Sequence, residues 1–210
     1  GYRAKRDANG QLIWNDDEPI KPNIDKYSEL HPEAQKFLKE NNIDLDETFV
    51  KYIPKDLPIR YTEGGSGFTI GDGIYINKKD LTDNRVIYHE FGHAIDINNL
   101  NIYKSRKLLS SLPKINQTPK ELTKLHNDLV QIHRNGDEKT KNDVNALADT
   151  IMGFNPNFGW GHDKKYMKKY GRLEIVAHAF EFKFMGNPIA KKMTPELYDN
   201  LIKLIDEYIK

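Results

Sequence analysis

The sequence predicts an α+β fold in which a small mixed sheet with an edge hairpin packs on one central helix and a helical part follows. Three observations predict this fold. Apolar residues alternate on both sides of a Gly-Asp-Gly turn in FTIGDGIYIN, residues 68–77, which is typical of a β-hairpin. A largely apolar helical pattern follows at 84–98. Amphipathic helical patterns then fill the second half of the chain.

The first elements are justified by their end signals. Residues 1–30 are polar and contain two prolines, so we expect an extended arm there, followed by one domain at 31–210. The stretch HPEAQKFLKENN predicts the first helix, with Pro32 in its first turn. The stretch LPIRYTE, residues 57–63, predicts a strand before the hairpin. Asp83 is a suitable N-cap for the apolar helix.

The later elements follow from the same signals. Residues 104–117 are expected to be irregular, and 104–152 as a whole is interpreted as a helical insertion in the domain. Segment 154–162 is rich in glycine, proline and aromatic residues and is predicted to be a loop. Start and stop signals around apolar patterns predict four further helices, at 118–136, 137–153, 172–186 and 194–210.

Composition excludes several classes of site. The chain has 32 Lys and Arg against 31 Asp and Glu, so its charge gives no argument for a specific nucleic-acid partner. It has no cysteine, which excludes disulfides, thiolate metal sites and cysteine nucleophiles. No apolar run is long enough to span a membrane. Gly1 stands in place of methionine and indicates processing or excision, so a signal peptide or large N-terminal region can precede this sequence.

Residues 86–97, VIYHEFGHAIDI, carry the pattern His-Glu-x-x-His. His89 and His93 are four residues apart, so on a helix they share a face and can bind one metal ion. Glu90 is placed to hold a metal-bound water and to accept its proton. The alternative is an amphipathic helix with two hydrogen-bonded core histidines. Gly92 has no side chain, so another element or a substrate can approach the helix closely.

A catalytic zinc ion has three protein ligands and keeps one position for water. Glu174 is favoured as the third ligand, because it lies in an apolar helical pattern where an unpaired carboxylate is rare. His178, four residues later on the same face, is the alternative ligand or a residue behind the ligands. Asp96 is expected to accept an imidazole N–H, to cap another helix or to be a solvated acid at a helix end. The full set of candidates is Asp96, His162, Glu174, His178 and Glu181.

The sequence resembles the catalytic domain of anthrax lethal factor and the related clostridial Pro-Pro endopeptidases. The resemblance lies in HEFGHAID, in YGR shortly before a helix of the form Glu-x-x-Ala-x-Ala-Phe, and in a closing helix. It covers roughly residues 57–100 and 159–210 and implies a zincin-like metallopeptidase fold. His178 stands where the family pattern has a second acid, and the middle helices match no segment of those proteins.

The resemblance also implies roles for individual residues. It implies that one Zn²⁺ per chain is held by His89, His93 and Glu174, with Glu90 as the general base. A tyrosine just before the third ligand assists the oxyanion in that family, and Tyr170 matches it. The spacing from Tyr170 to Glu174 is shorter than in the family pattern, which leaves Tyr166 as the alternative.

A second resemblance involves residues 146–182. This segment is similar to the C-terminal metallopeptidase-like region of some phage minor head proteins and mobile-element proteins, in which Gly-His-x-x-x-Tyr precedes the acidic helix. Here that pattern is GHDKKY, with His162 and Tyr166. The resemblance implies that His162 stabilises an oxyanion or binds substrate; the alternative is an exposed loop histidine.

The residues and both resemblances together predict a zinc-dependent endopeptidase. We expect a monomer whose peptide or protein substrate binds as an extended strand along the edge hairpin. Gly64, Gly65 and Gly67 are expected to make the rim beside that hairpin mobile. The resemblances imply a secreted protein or one associated with a phage or mobile element. The alternative function is a non-catalytic, zinc-stabilised structural or adaptor domain of a phage or mobile-element particle.

Overall fold

The computed structural model describes residues 25–64, 72–81, 84–111 and 118–210, together with the strand backbone at 5–6, 12–13 and 68–70. Within these residues the chain is α+β and mostly helical, which confirms the predicted class at this level. The predicted cap Asp83 and the rim glycines Gly65 and Gly67 lie outside the described residues.

Residues near the end of the predicted arm contribute to the core. Strands β1 (Lys5–Arg6) and β2 (Leu12–Ile13) pair antiparallel. Tyr27 and Leu30 are buried in the hydrophobic core, and the Tyr27 hydroxyl donates a hydrogen bond of 2.8 Å to the carbonyl of Ile43. The predicted end of the arm at residue 30 stays a prediction, but these two side chains already belong to the domain.

The predicted hairpin is present and lies in a three-stranded sheet. Strand β4 (Phe68–Ile70) pairs antiparallel with β5 (Gly73–Asn77), and β5 pairs parallel with β3 (Ile59–Thr62). The strand order is β3-β5-β4, so the sheet is mixed and the hairpin strand β4 lies at an edge. Ile74 and Ile76 are buried, which fixes the register because the side chains of a strand alternate between faces.

Two short helices precede the apolar helix. Helix α1 (Pro32–Glu40) begins at the predicted proline, and the His31 side chain accepts a hydrogen bond from the backbone of its first turn. Helix α2 (Glu47–Val50) is a single turn, and the Asp46 side chain caps it by accepting hydrogen bonds from the backbone N–H groups of Thr48 and Phe49. The apolar helix α3 (Arg85–Ile95) packs on β4 and β5, as predicted for the hairpin.

Helix α3 ends differently from the prediction. The chain continues through a π-helical turn at Asp96–Leu100, and Asn101, with a φ of 53°, ends it. The Asp96 carboxylate accepts hydrogen bonds from the backbone N–H groups of Ile102 and Tyr103, which holds the following 3-10 turn against the helix end. Asp96 therefore caps another helix, a role predicted for it.

The remaining helices are α4 (Arg106–Ser111), α5 (Pro119–Asn135), α6 (Glu138–Phe154), α7 (Lys164–Met185), α8 (Pro188–Met193) and α9 (Pro195–Tyr208). The prediction that 104–117 is irregular is wrong for α4, because its Leu108 is fully buried and the helix packs on the last helix; residues 112–117 lie outside the described part. The helices predicted at 118–136, 137–153 and 194–210 are confirmed as α5, α6 and α9.

Helix α7 begins earlier than predicted. The expected start was residue 172, whereas Asp163 caps the helix by accepting hydrogen bonds from the backbone N–H groups of Lys165 and Tyr166 at 2.8 and 2.9 Å. Tyr170, which precedes the predicted helix start, therefore lies inside the helix. Gly171 interrupted the apolar pattern and concealed the helix in the sequence, because glycine is unfavourable in a helix interior.

Helix α7 lies between α3 and α6 and runs antiparallel to both. A Cβ on Gly171 would lie 2.7 Å from the carbonyl oxygen of Gly153, so α6 and α7 cross where both lack side chains. A Cβ on Gly92 would lie 3.1 Å from Phe180 Cβ and 3.3 Å from Ala177 Cα. The close approach predicted at Gly92 is therefore made by α7, which brings the polar residues of the two helices together.

Gly92→Ala is expected to lower the thermal stability of the protein. The added methyl group meets α7 atoms that cannot rotate away, and such overpacking costs about 1–3 kcal/mol, more than the roughly 1 kcal/mol gained in helix propensity. Thermal unfolding followed by circular dichroism measures the change. Gly64→Ala is the control, since nothing lies within 4 Å of the new atom. An unchanged or raised Tm for Gly92→Ala would contradict the close packing of α3 on α7.

Candidate metal centre

Three side chains from two helices meet at one point. His89 and His93, one turn apart on α3, bring their Nε2 atoms to 3.2 Å from each other. Glu174 on α7 places its Oε2 atom 3.3 Å from each of these nitrogens. The antiparallel packing of α7 on α3 thus supplies a carboxylate opposite the two imidazoles, as the sequence predicted for these three residues.

His89 Nε2, His93 Nε2 and Glu174 Oε2 form a triangle whose dimensions fit a metal ion. Tetrahedral ligands at about 2.0–2.1 Å from zinc lie about 3.3 Å from one another, close to the sides of this triangle. Glu174 is only 1% exposed, and its Oε2 accepts no well-aligned hydrogen bond among the described residues. A buried carboxylate oxygen without such a bond is costly, and a cation at the centre of the triangle would satisfy it.

The electrostatics of the triangle keep the carboxylate ionised. Burial of Glu174 opposes ionisation, but the imidazoles of His89 and His93 outweigh burial and hold the pKa of Glu174 far below its usual value. Burial by itself lowers the pKa of His93, because it disfavours the charged imidazole. The neighbouring Glu174 carboxylate outweighs burial, so the pKa of His93 is raised. An ionised carboxylate beside two imidazoles is a donor set suited to zinc.

His178 lies directly behind the triangle. Its ring packs on the His89 ring with centroids 4.4 Å apart. Its Nδ1 lies 2.9 Å from Glu181 Oε2, and its Nε2 lies 3.0 Å from Asp149 Oδ2. Burial lowers the pKa of His178, but these two carboxylates outweigh burial and raise it to about 10. Both ring nitrogens are therefore engaged with carboxylates, which favours Glu174 over His178 as the third ligand.

Other groupings of the same residues are also close enough to hold an ion. The ligand atoms of His89, His178 and Glu181 lie within 4.8 Å of one another, as do those of Asp149, Glu174 and His178. Most of these atoms are already engaged in the hydrogen bonds described above, whereas Oε2 of Glu174 is not. The group formed by His89, His93 and Glu174 is therefore the best candidate among the described residues.

Glu181, the remaining candidate ligand, belongs to a buried network with Arg85. The Arg85 guanidinium lies 3.0 Å from Glu181 Oε1 and 2.7 Å from Asp143 Oδ1. Glu181 Oε2 also lies 4.0 Å from Nδ1 of His89, so it is close to a candidate ligand as well as to His178. Sequence reasoning missed Arg85 and Asp143. A charge at an otherwise apolar helix position was the only available signal.

Asp149 on α6 joins the network to the cleft, and sequence reasoning missed it too. Its Oδ1 lies 3.0 Å from Nδ1 of His162, while its Oδ2 contacts His178. Burial raises the pKa of Asp149, but the two imidazoles outweigh it and lower the pKa to about 2. An acid within the apolar stretch ALADTIM was a signal for a buried partner, but the partner could not be identified from the sequence.

The two candidate tyrosines are placed differently. Tyr166 donates a hydrogen bond of 2.6 Å to Oε1 of Glu174, and its ring stacks on His162 with centroids 4.5 Å apart. Tyr170 lies with its ring 5.0 Å from that of Tyr166 and with the Lys169 ammonium 4.7 Å above it. Tyr166 therefore contacts the Glu174 carboxylate of the candidate centre directly, while Tyr170 packs one turn further along α7.

Most of these side chains line one open cleft. The cleft has a volume of about 990 Å³, and α3, α6 and α7 provide most of its walls. Glu90 is 5% exposed and lines the cleft beside His89, and it also has interaction partners. The triangle is thus accessible from solvent on one side and enclosed by the charged network on the other.

Comparison with known proteins gave no match, since no protein-family model, no curated protein and no solved structure is significantly similar to the chain. Both resemblances seen in the sequence therefore stay predictions. In the described part of the chain, no helix has the length and apolarity required to cross a bilayer.

Substitutions at Glu174 and His178 are expected to have different effects on zinc affinity. Glu174→Ala removes a ligand and should abolish tight binding, whereas His178→Ala removes a group behind the ligands and should cost about 10- to 100-fold in affinity. Competition with a chromogenic chelator measures both, and wild type should hold one zinc ion per chain. The opposite ranking would place the third ligand on His178.

Proposed function

We propose that the protein is a zinc-dependent endopeptidase. The observation that carries the proposal is the triangle of His89, His93 and Glu174 at the floor of an open cleft, with Glu90 in the cleft wall beside it. When bound, zinc acts as a Lewis acid on a carbonyl oxygen and lowers the pKa of water. A cleft of this size accommodates several residues of a peptide, which supports a peptide or protein substrate.

Glu90 is the proposed general base. It follows His89 directly on α3, so the helix fixes its carboxylate next to the triangle without making it part of the triangle. In the proposed reaction Glu90 accepts a proton from the attacking water and transfers it to the nitrogen of the leaving amine. The new bond joins the water oxygen to the peptide carbonyl carbon, and the bond that breaks is the peptide C–N bond.

Tyr166, with His162, is the proposed donor to the carbonyl oxygen. Motif matching pointed to Tyr170, with Tyr166 as the alternative. The hydrogen bond from Tyr166 to Glu174 and its stacking on His162 support Tyr166, since its hydroxyl lies within reach of a group bound at the triangle. A phenol donates best where negative charge develops, so this contact would be strongest in the transition state.

Hairpin β4–β5 is the proposed guide for the substrate. Strand β4 lies at the edge of the sheet and packs on α3, so an extended peptide can add to the sheet beside the metal-binding helix. A role as a zinc-stabilised particle domain would instead favour four protein ligands and no turnover. The engagement of both His178 nitrogens with carboxylates argues against that residue as a fourth ligand.

Glu90→Gln is expected to abolish turnover while preserving the metal centre. The substitution removes the proton acceptor and keeps the shape, so kcat should fall by several orders of magnitude, with zinc content and Tm unchanged. A peptide-library cleavage screen on the zinc-loaded protein identifies the substrate, and kinetics on one cleaved peptide give the effect. Absence of cleavage by wild-type protein that holds one zinc would favour the structural role, and loss of zinc from Glu90→Gln would make Glu90 a ligand.

Tyr166→Phe is expected to lower kcat by roughly 10²- to 10³-fold with little change in KM, because it removes a donor that acts mainly in the transition state. Tyr170→Phe is the matched control on the same helix and should be nearly silent. Zinc affinity is measured in parallel for both variants. A loss of zinc affinity in Tyr166→Phe without a specific effect on kcat would assign its hydroxyl to holding Glu174 instead.

A further inference from the structure

Asp149 bonds to a histidine on each of its two sides. Its Oδ2 lies 3.0 Å from Nε2 of His178, and its Oδ1 lies 3.0 Å from Nδ1 of His162. The carboxylate is 5% exposed and projects from α6, a helix that carries none of the three proposed zinc ligands. Both oxygens are thus committed to ring nitrogens on different elements of the site.

On its inner side Asp149 orients His178. That ring is fixed between Asp149 and Glu181, and it packs on the ring of His89 at a centroid distance of 4.4 Å. The orientation of a ring that packs this closely limits the rotation of its neighbour. Asp149 therefore influences how the His89 imidazole presents Nε2 to the metal, although it does not touch that residue.

On its outer side Asp149 orients His162. This histidine follows the glycine-rich loop between α6 and α7, lines the cleft and has a side chain that is 38% exposed. A ring on a loop needs an anchor to keep one orientation, and the bond from Nδ1 to Asp149 provides it. The His162 ring in turn stacks on Tyr166, which donates to Glu174.

We propose that Asp149 is a positioning residue that couples the proposed zinc ligands on its inner side to the cleft wall on its outer side. Through His178 it fixes a metal-binding imidazole, and through His162 it fixes the substrate-facing wall. The coupling to zinc stands on the metal centre alone, whereas the role of His162 toward a substrate rests on the proposed function. Asp143 provides the contrast, since it is equally buried on α6 but pairs with Arg85 and reaches neither histidine that Asp149 contacts.

Asp149→Asn tests the proposal with little change in shape. An amide has one acceptor oxygen and one NH2 donor group, so it cannot accept hydrogen bonds from both imidazoles, and one ring must change its protonation state or lose its anchor. Zinc affinity, measured by chelator competition, should fall by about 10- to 100-fold, the range typical of groups that orient a ligand. The matched control Asp143→Asn should lower Tm and change zinc affinity by less than about threefold, because Arg85 still pairs with Glu181.

A double-mutant cycle tests the coupling to the outer half. Asp149→Asn, His162→Ala and the double variant are compared for binding of a peptide hydroxamate to the zinc-loaded protein. The effects of the two substitutions on hydroxamate binding should be strongly non-additive, because Asp149→Asn removes the anchor of the His162 ring and His162→Ala removes the ring itself. Additive effects, or a zinc affinity in Asp149→Asn no lower than in Asp143→Asn, would reduce Asp149 to a purely structural role and overturn the proposal.

Two measures keep the outcome decisive. If Asp149→Asn does not fold, His162→Gln and His178→Gln, made singly and together, report the same coupling through Asp149 in zinc affinity; additivity would again overturn the proposal. Neither readout requires turnover. A protein that cleaves no peptide but loses zinc affinity in Asp149→Asn would refute the proposed function and support the positioning role of Asp149.

Discussion

The structure depends on how the carboxylates buried between helices α3, α6 and α7 are paired. Five carboxylates that are at most 5% exposed lie at or beneath one cleft: Glu90, Asp143, Asp149, Glu174 and Glu181. Among the described residues, the Arg85 guanidinium pairs with two of them, and the His178 imidazole lies between two, which raises its pKa to about 10. Buried charge is tolerated only when it is paired, so the remaining negative charge favours a divalent cation at the triangle.

Helix packing and this network depend on each other. Gly92 lets α7 approach α3, and the Gly153–Gly171 crossing does the same for α6 and α7. The short interhelical distances bring side chains from three helices within hydrogen-bonding reach, and the resulting ion pairs in turn hold the helices in register. A substitution at one of these crossing points is therefore expected to alter the geometry of the candidate metal centre, although the three glycines contribute no side chain to it.

The candidate site has an inner and an outer half with different tasks. The inner half, from Arg85 to His178, is largely buried and lies behind the proposed ligands. The outer half consists of Glu90, His162 and Tyr166 and faces the cleft. Such a division fits the proposed hydrolase, because rigid support behind the proposed ligands would allow the groups that face a substrate to be positioned before the reaction begins. A purely structural metal site has no need of an open wall with unequal halves.

The sequence by itself determined the elements and the first part of the site. Helical period and capping signals located α1, α5, α6 and α9, and alternation around Gly-Asp-Gly located the hairpin. The spacing of His89 and His93 placed two imidazoles on one face, because four residues are about one helical turn. Tertiary structure decided the rest. Asp149 and Arg85 lie at the candidate site only because α6 and α3 pack on α7, and the contact of Tyr166, rather than Tyr170, with Glu174 depends on the same packing. Periodicity is a local property of the chain, whereas the partner of a buried charge is chosen by packing between segments far apart in sequence.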